Sequence, residues 1–370
     1  LIIPLSAPDI TEPEIDAVVR VLRGAQLSLG PRLEEFEQSF AAYIGVSHAV
    51  AVNSGTSGLH LCVRALGLKA GDEVIVPSFT FIAAANAIRY EGATPVFVDI
   101  DADTLNLDPA CVEGSITPRT RAILVVHTFG VPAEMEALKA IARRHQLHLL
   151  EDACEAIGAE YRDRKVGSLG AAGVFAFYPN KQITTGEGGM IVTGNGALAE
   201  RMRALRNQGR YPGDDWFQHR EVGFNYRLSE INCALGVEQL KRIDKILERR
   251  EQIADAYDRQ LRSIPGVTLP SRGRADTSCS WFVYVVRLQR AGSPTLRDAV
   301  AARLQAMGIG CGRYFAPIHR QPAYADWREG AQLPVTEAVS ATTLALPFFN
   351  RITAEQIENV CAALRDAMLC

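Results

Sequence analysis

The sequence predicts an α/β protein: a large domain on a mostly parallel sheet, followed by a smaller C-terminal α+β domain. Three observations predict it. Short apolar runs alternate with helical patterns through the first half of the chain, as expected of strands buried on both faces. Beyond about residue 228 long helical patterns replace this alternation. A chain of 370 residues also exceeds what one hydrophobic core usually serves.

The elements follow in order. Glu12–Leu22 has a helical pattern, and residues 1–25 are compatible with packing on either domain. His48–Val52 reads as a strand ending in Asn53-Ser54-Gly55-Thr56-Ser57-Gly58 and leading into a helix over Leu59–Leu66. Glu73–Val76 stops at Pro77 before an Ala-rich helix near Phe81–Arg89. Pro95–Asp99, Ala122–His127, His148–Asp152, Val174–Tyr178 and Gly189–Thr193 are further strand-like runs rich in apolar residues. Leu228–Leu261 reads as one long helix, with apolar positions from Ile231 through Leu247. A strand over Ser280–Leu288, a helix near Thr295–Met307 and an amphipathic helix near Ala354–Met368 complete the pattern. The expected division is residues 1–235 and 236–370.

Composition excludes several classes. With 39 basic and 42 acidic residues and a net charge of −3, nothing attracts nucleic acid or an anionic membrane. Ala122–Ala133 is interrupted by His127 and Gly130, and no apolar run reaches the ~18 residues of a membrane span. The N-terminal stretch lacks the basic start and apolar core of a signal peptide. Eight cysteines without a Cys-x-x-Cys pair support neither a disulfide framework nor a zinc site. A cytoplasmic enzyme with reduced thiols and no metal is the expectation.

Ligands of open parallel sheets bind beyond the carboxyl ends of the strands. Three stretches there carry complementary chemistry. Asn53–Gly58 joins a strand to a helix through small residues, so its amides can meet an anion at a helix N-terminus; an ordinary capped helix is the alternative. Glu151-Asp152 puts carboxylates at a strand end, where they serve catalysis, binding or a turn cap. Lys181 lies on the Gly- and Thr-rich link Tyr178–Gly189, and a lysine kept inside the protein suits Schiff-base chemistry. Phosphate site, acid partner and amine together match pyridoxal phosphate.

The ordered motifs Ser54-Gly55-Thr56-Ser57, Pro77–Ala83, Glu151-Asp152-Ala153-Cys154-Glu155 and Asn180-Lys181…Gly186-Glu187-Gly188-Gly189 resemble the DegT/DnrJ/EryC1/StrS family of sugar aminotransferases. Asn225–Glu230 and Tyr314…Pro317-Ile318-His319 extend the likeness. The resemblance implies the fold type I, aspartate-aminotransferase-like architecture. It implies that Lys181 holds pyridoxal 5'-phosphate and later moves protons, that Asp152 pairs with the pyridine nitrogen, and that Gly55, Thr56 and Ser57 bind the phosphate. Phe81 matches the aromatic that stacks on the ring, a core phenylalanine being the alternative. Glu155 stands near the 3-hydroxyl, where many members have Gln. Asn225 matches a residue reaching the phosphate from a neighbouring subunit, implying a homodimer with shared sites. Ala176 departs from the usual serine phosphate contact. Lys181 itself separates this chain from relatives that carry His there and dehydrate sugars.

Substrate contacts are expected at Tyr314, at His319 (a satisfied structural histidine being the alternative) and at Arg210, which with Tyr211 could reach a diphosphate. The implied reaction moves an amino group from L-glutamate to a nucleotide-linked keto-sugar. A cyclitol or other cyclic ketone as acceptor, and a non-catalytic cofactor-binding paralogue, stay open. Gly194-Asn-Gly196-Ala-Leu-Ala199 mimics a dinucleotide fingerprint but lacks its distal acid, so a plain strand-to-helix turn is expected. His145 and His148 straddle a helix end and a strand start, so convergence on a metal is not expected.

Overall fold

Each apolar run of the first half becomes a strand of one seven-stranded sheet. The structure is a computed structural model and describes residues 2–215, 217–290, 295–327 and 332–369. The strands are β1 (His48–Val52), β2 (Glu73–Pro77), β3 (Thr94–Val98), β4 (Thr120–Val126) and β5 (His148–Asp152). A hairpin of β6 (Glu160–Tyr161) and β7 (Arg164–Lys165) precedes β8 (Ala172–Ala176) and β9 (Gly189–Thr193). Across the sheet the order is β1-β9-β8-β5-β4-β2-β3. β9 runs antiparallel to β1 and β8, and the remaining pairings are parallel.

Helices cover both faces. They are α1 (Glu12–Leu22), α2 (Pro31–Ile44), α3 (Gly55–Ala65), α4 (Ala83–Tyr90), α5 (Pro109–Gly114), α6 (Met135–Arg144), α7 (Gly196–Arg206) and α8 (Glu230–Lys241). Strand alternation decides which face each residue joins. Val50, Val52, Val74 and Val76 pack with Leu59, Ile88 and Leu205 of α3, α4 and α7. Ala49 and Ala51 point the other way, to Phe36 and Phe40 of α2 and Val237 of α8. Ile75 and Val125 meet Val112 of α5 and Leu138 of α6.

The C-terminal part contains α9 (Ile243–Leu261), β10 (Val267–Thr268), β11 (Thr277–Ser278), β12 (Tyr284–Leu288), α10 (Leu296–Ala306), α11 (Pro334–Thr342), β13 (Thr343–Leu346) and α12 (Ala354–Leu369). A small antiparallel sheet, β10-β12-β13, packs its apolar face on α9, α10 and α12 through Tyr257, Tyr284, Leu304, Leu344 and Val360. β11 pairs with β6, stitching this part to the large sheet's hairpin. The N-terminal segment divides between the two. Ile3 joins the C-terminal core and bridges to Ile309, whereas α1 packs on α8.

Two expectations need correction. The helix predicted over Leu228–Leu261 is two helices, because the backbone leaves helical geometry at Arg242 (φ −115°, ψ 17°). Its guanidinium is held by Asp9 at 2.9 Å and Glu14 at 2.7 Å. No proline or glycine marks this break; the anchor comes from residues more than 220 positions away. The strand expected to begin at Ser280 begins at Tyr284. Ser280 and Phe282 commit their backbone groups elsewhere: the Ser280 amide donates to Gly130 O (3.0 Å) and Phe282 O accepts from Arg250 (3.3 Å). The Gly194–Gly196 stretch is a turn capped by Asn195, whose side chain accepts from the Leu198 amide at 3.1 Å. Among the described residues no helix is long and apolar enough to cross a membrane, and no group of three His, Cys, Asp or Glu could hold a metal ion. The seven described cysteines are free thiols; Cys370 lies outside the described residues.

Candidate active site

Parallel strands end on one edge of the sheet, and there their loops enclose a cavity of about 490 Å³, within the usual size of a small-ligand site. The loop after β1 supplies Ser54, Gly55 and Thr56, and the loop after β2 supplies Thr80 and Phe81. Asp152, Cys154 and Glu155 come from the end of β5; Ala176, Tyr178, Asn180 and Lys181 come from β8 and its loop. The C-terminal part closes one wall with Phe282, Tyr314 and Phe315.

Gly55 and Thr56 are the first residues of α3, and Ser54 caps that helix by accepting from the Ser57 amide at 3.1 Å. The helix N-terminus therefore opens toward the cavity, where its dipole favours an anion. Only glycine fits at 55: a Cβ there would lie 2.8 Å from the Ala176 Cβ and 2.9 Å from the Cys154 sulfur. Ser57, expected at the phosphate, is turned to Asn53 Oδ1 (2.7 Å) and Ser54 Oγ (2.9 Å) and does not line the cavity. Ala176 lines it beside Gly55.

Strand alternation separates the two carboxylates at the end of β5. Glu151 points away from the cavity and accepts from His127 Nε2 at 3.0 Å and from the Gly167, Leu169 and Gly170 amides at 2.7, 2.6 and 2.5 Å. Its role is structural. The His127 Nδ1 accepts from the Ala133 amide (3.1 Å), which leaves Nε2 as the protonated, donating nitrogen. Asp152 faces the cavity and is 7% exposed. Burial pushes its carboxyl pKa up, while the hydrogen bond from the Cys154 amide (3.1 Å) and the charge of Lys181 pull it back. A desolvated carboxylate with incomplete compensation fits a cationic ring nitrogen, which would supply the missing charge.

Lys181 reaches into the same space. Its amine lies 3.7 Å from Glu155 Oε1 and 3.9 Å from the centre of the Phe282 ring. The loop holding it is tied down on every side. The Lys181 amide donates to Tyr178 O (2.9 Å), Gln182 Nε2 donates to Glu155 O (2.8 Å), and the Thr184 hydroxyl donates to Phe177 O (2.9 Å). Glu155 is fixed from behind by the Phe129 amide at 2.9 Å. Burial raises its pKa, and Lys181 and that amide oppose the rise. Phe81 is 61% exposed at the cavity mouth, an aromatic face without a protein cover, as a stacking platform for a flat ring requires. It is not a core phenylalanine.

Other expected residues sit elsewhere. His319 is 1% exposed and both ring nitrogens are taken, Nδ1 by the Ser78 hydroxyl (2.7 Å) and Nε2 by Glu337 (3.2 Å). It fastens the end of β2 to the C-terminal part and does not line the cavity, because hydrogen bonding consumes the polar atoms a sugar would need. Arg210 and Asn225 lie on the segment after α7, off the wall of this chain's own cavity. The Tyr211 hydroxyl is engaged by Glu221. Phe282, whose ring underlies the Lys181 amine, and Phe315 escaped the sequence, and Asn180 lay in a recognised motif without an assigned role. Phe282 gives no local signal, since it enters from a segment about a hundred positions away.

A site that can grip a phosphate at one wall, an aromatic nitrogen at another and an aldehyde between them fits pyridoxal phosphate, and the sheet around it is that of a fold type I enzyme. The chain belongs to the DegT/DnrJ/EryC1/StrS aminotransferase family, whose model matches residues 8–365. It is a pyridoxal-phosphate-dependent aminotransferase. It is 44% identical to the GDP-perosamine synthase of Caulobacter vibrioides over 370 residues, covering 99% of this chain and 98% of that protein. Spore coat polysaccharide biosynthesis protein SpsC of Bacillus subtilis is 38% identical over 377 residues, covering 98% and 96%. Among solved structures, S. venezuelae DesV in complex with a ketimine intermediate superposes with a TM-score of 0.89 at 42% identity, covering 95% of this chain and 93% of that one.

Proposed function

We propose that the enzyme transfers the amino group of L-glutamate to the carbonyl carbon of a nucleotide-linked keto-sugar, giving an amino sugar for glycan, polysaccharide or natural-product synthesis. The relative named GDP-perosamine synthase makes a GDP-linked sugar the first acceptor to test. The observation that carries the reading is the convergence of Asp152 and Lys181 on one cavity.

When bound, pyridoxal phosphate supplies an electron-accepting ring and an aldehyde that exchanges amino groups. The chain supplies the rest. Gly55 and Thr56 hold the phosphate at the N-terminus of α3, and Phe81 stacks on the ring. Asp152 keeps a proton on the ring nitrogen, a charge its own desolvation demands. Lys181 holds the cofactor at rest; released, its neutral amine takes the proton from the α-carbon of glutamate and returns one to the sugar carbon. Glutamate and keto-sugar use the cavity in turn. Phe282 and Phe315 give that cavity an apolar wall.

The reading includes a homodimer. Asn225 and Arg210 would complete a neighbour's site, and the apolar side chains near them, Phe217 at 89% and Val222 at 78% exposure, support a covered surface there. Mixing Lys181→Ala with Asn225→Ala subunits should then restore part of the lost activity; no restoration rejects shared sites. We also place the reaction in the cytoplasm, where free thiols stay reduced.

The test incubates the purified enzyme with glutamate and GDP-linked 4-keto and 3-keto sugars, identifying the product by mass spectrometry. An amino sugar is expected, with Lys181→Ala lacking both turnover and the visible band of the lysine-bound cofactor. Full activity in Lys181→Ala would falsify the reading.

A further inference from the structure

The Lys181 amine has two close neighbours in the cavity. The Phe282 ring lies against it at 3.9 Å, and Glu155 Oε1 stands beside it at 3.7 Å. Among the described residues Glu155 is the one carboxylate within ion-pair reach of that amine. Its two oxygens are used differently: Oε2 accepts from the Phe129 amide at 2.9 Å, while Oε1 is turned to the amine. The Glu155 backbone is fixed as well, since its carbonyl accepts from Gln182 Nε2 at 2.8 Å. Lys181 has a flexible stem that can close the remaining gap.

Amino-group exchange gives this pair a proton to place. Glutamate arrives as an ammonium, and its nitrogen takes the position that the Lys181 nitrogen held. A carboxylate beside the joined Lys181 nitrogen favours its protonated form, so the incoming ammonium brings one proton too many. Left on Lys181, that proton makes an ammonium, which has no lone pair for the proton of the α-carbon. The other groups facing the pair do not take it. Asp152 is committed to the ring nitrogen, and Glu187, the remaining acid of the cavity wall, is exposed to water. The wall also carries the phenols of Tyr178 and Tyr314 and the thiol of Cys154. Burial pushes the pKa values of Tyr314 and Cys154 up, so both keep their own protons. Glu155 is buried too, and burial raises its pKa; a carboxylate so placed binds a proton more readily than one in water.

We propose that Glu155 is the proton acceptor of Lys181: its Oε1 takes the surplus proton from the released amine and returns it when the amine rejoins the cofactor. In this step an N–H bond of Lys181 breaks and an O–H bond of Glu155 forms, with the electron pair left on nitrogen. Lys181 then meets the α-carbon as a neutral amine, and no proton has to travel to bulk water. The proposal rests on glutamate as amino donor and adds a second acid–base residue to the site.

The test follows single turnover of the cofactor-loaded enzyme with saturating glutamate across pH, read from loss of the visible band. Wild-type Glu155 and Lys181 share one proton as a unit, so the rate should stay flat on the acid side of neutrality. Glu155→Gln keeps the shape but takes no proton, and its rate should fall about tenfold per pH unit there. Glutamate deuterated at the α-carbon should slow both enzymes, which identifies the rate as that of the proton transfer. Infrared difference spectra supply a readout apart from turnover. Glutamate-treated minus resting wild type should gain a protonated-carboxyl band that Glu155→Gln lacks; glutamate and its keto-acid product are ionised at neutral pH and add none. The wild-type spectrum decides even where Glu155→Gln fails to load cofactor. The proposal is overturned if the wild type gains no such band. It is equally overturned if Glu155→Gln stays flat or runs faster than wild type at acid pH, as expected of a carboxylate that only holds an ammonium in place. Failure of the glutamate reading looks different: the visible band of the wild type is then discharged by another amino donor and not by glutamate, and the same two measurements with that donor decide the role of Glu155.

Discussion

Glu151 and Asp152 are neighbours at the end of β5, yet they live in opposite electrostatic worlds. Behind the sheet, Glu151 is fully buried and receives one imidazole and three backbone amides. On the cavity side, Asp152 and Glu155 are almost as buried but receive fewer donors, and burial raises both pKa values. A protein interior tolerates carboxylates when hydrogen bonds replace water. The rear of β5 does this completely and spends its charge on fold. The front leaves part of the compensation to a ligand, and that shortfall is the binding site.

The comparison breaks first at Asp152. Asp152→Asn keeps the shape of the site but cannot hold a proton on the ring nitrogen, so kcat should fall about 10³-fold, roughly 4 kcal/mol of barrier; thermal stability of the apoprotein should not fall. Steady-state kinetics with calorimetry checks both, and an active Asp152→Asn enzyme would remove the ring-nitrogen role. Glu151→Ala should show the reverse pattern. It leaves the His127 N–H and three amides unpaired in a dry interior, at a cost of about 3–5 kcal/mol of stability, read from denaturant unfolding.

A smaller effect appears in the pH dependence of the apoprotein. Asp152 and Glu155 have folded-state pKa values above their unfolded ones. Their contribution is thus fully present below the unfolded carboxylate range of about 4 and is lost as pH rises through the raised folded values. Apoprotein stability should fall over that interval, and the double variant Asp152→Asn/Glu155→Gln should flatten the fall. A wild-type profile unaffected by the double change would show that the front carboxylates are compensated after all. The least expected effect is at Ala176, which lines the phosphate end beside Gly55. Ala176→Ser adds one donor there and should tighten cofactor binding by about 0.5–1.5 kcal/mol, measured by titrating apoenzyme with pyridoxal phosphate.

Much of this could be read from the chain alone. The residue ranges of α1, β1, β5 and β9 match their apolar patterns, and Asp152 and Lys181 stand out as reactive groups just beyond buried strands. Their convergence was legible because parallel strands deliver their ends to one edge. Other features were not. Alternation says that Glu151 and Asp152 face opposite sides, but not which side holds the cavity. His319 lies within a recognisable motif, yet its ring is consumed by Ser78 and Glu337, from segments it never neighbours in sequence.

The amino-acid sequence by itself determined the α/β alternation, the strand ends and the chemical types waiting at them, because periodicity and turn chemistry act over a few residues. Tertiary structure alone decided which carboxylate serves the fold and which the site, where the helix breaks at Arg242, and that Phe282 and Tyr314 close the cavity. Those outcomes depend on whether a buried polar or aromatic group finds its partner, and the partner is supplied by chain dozens to hundreds of residues away.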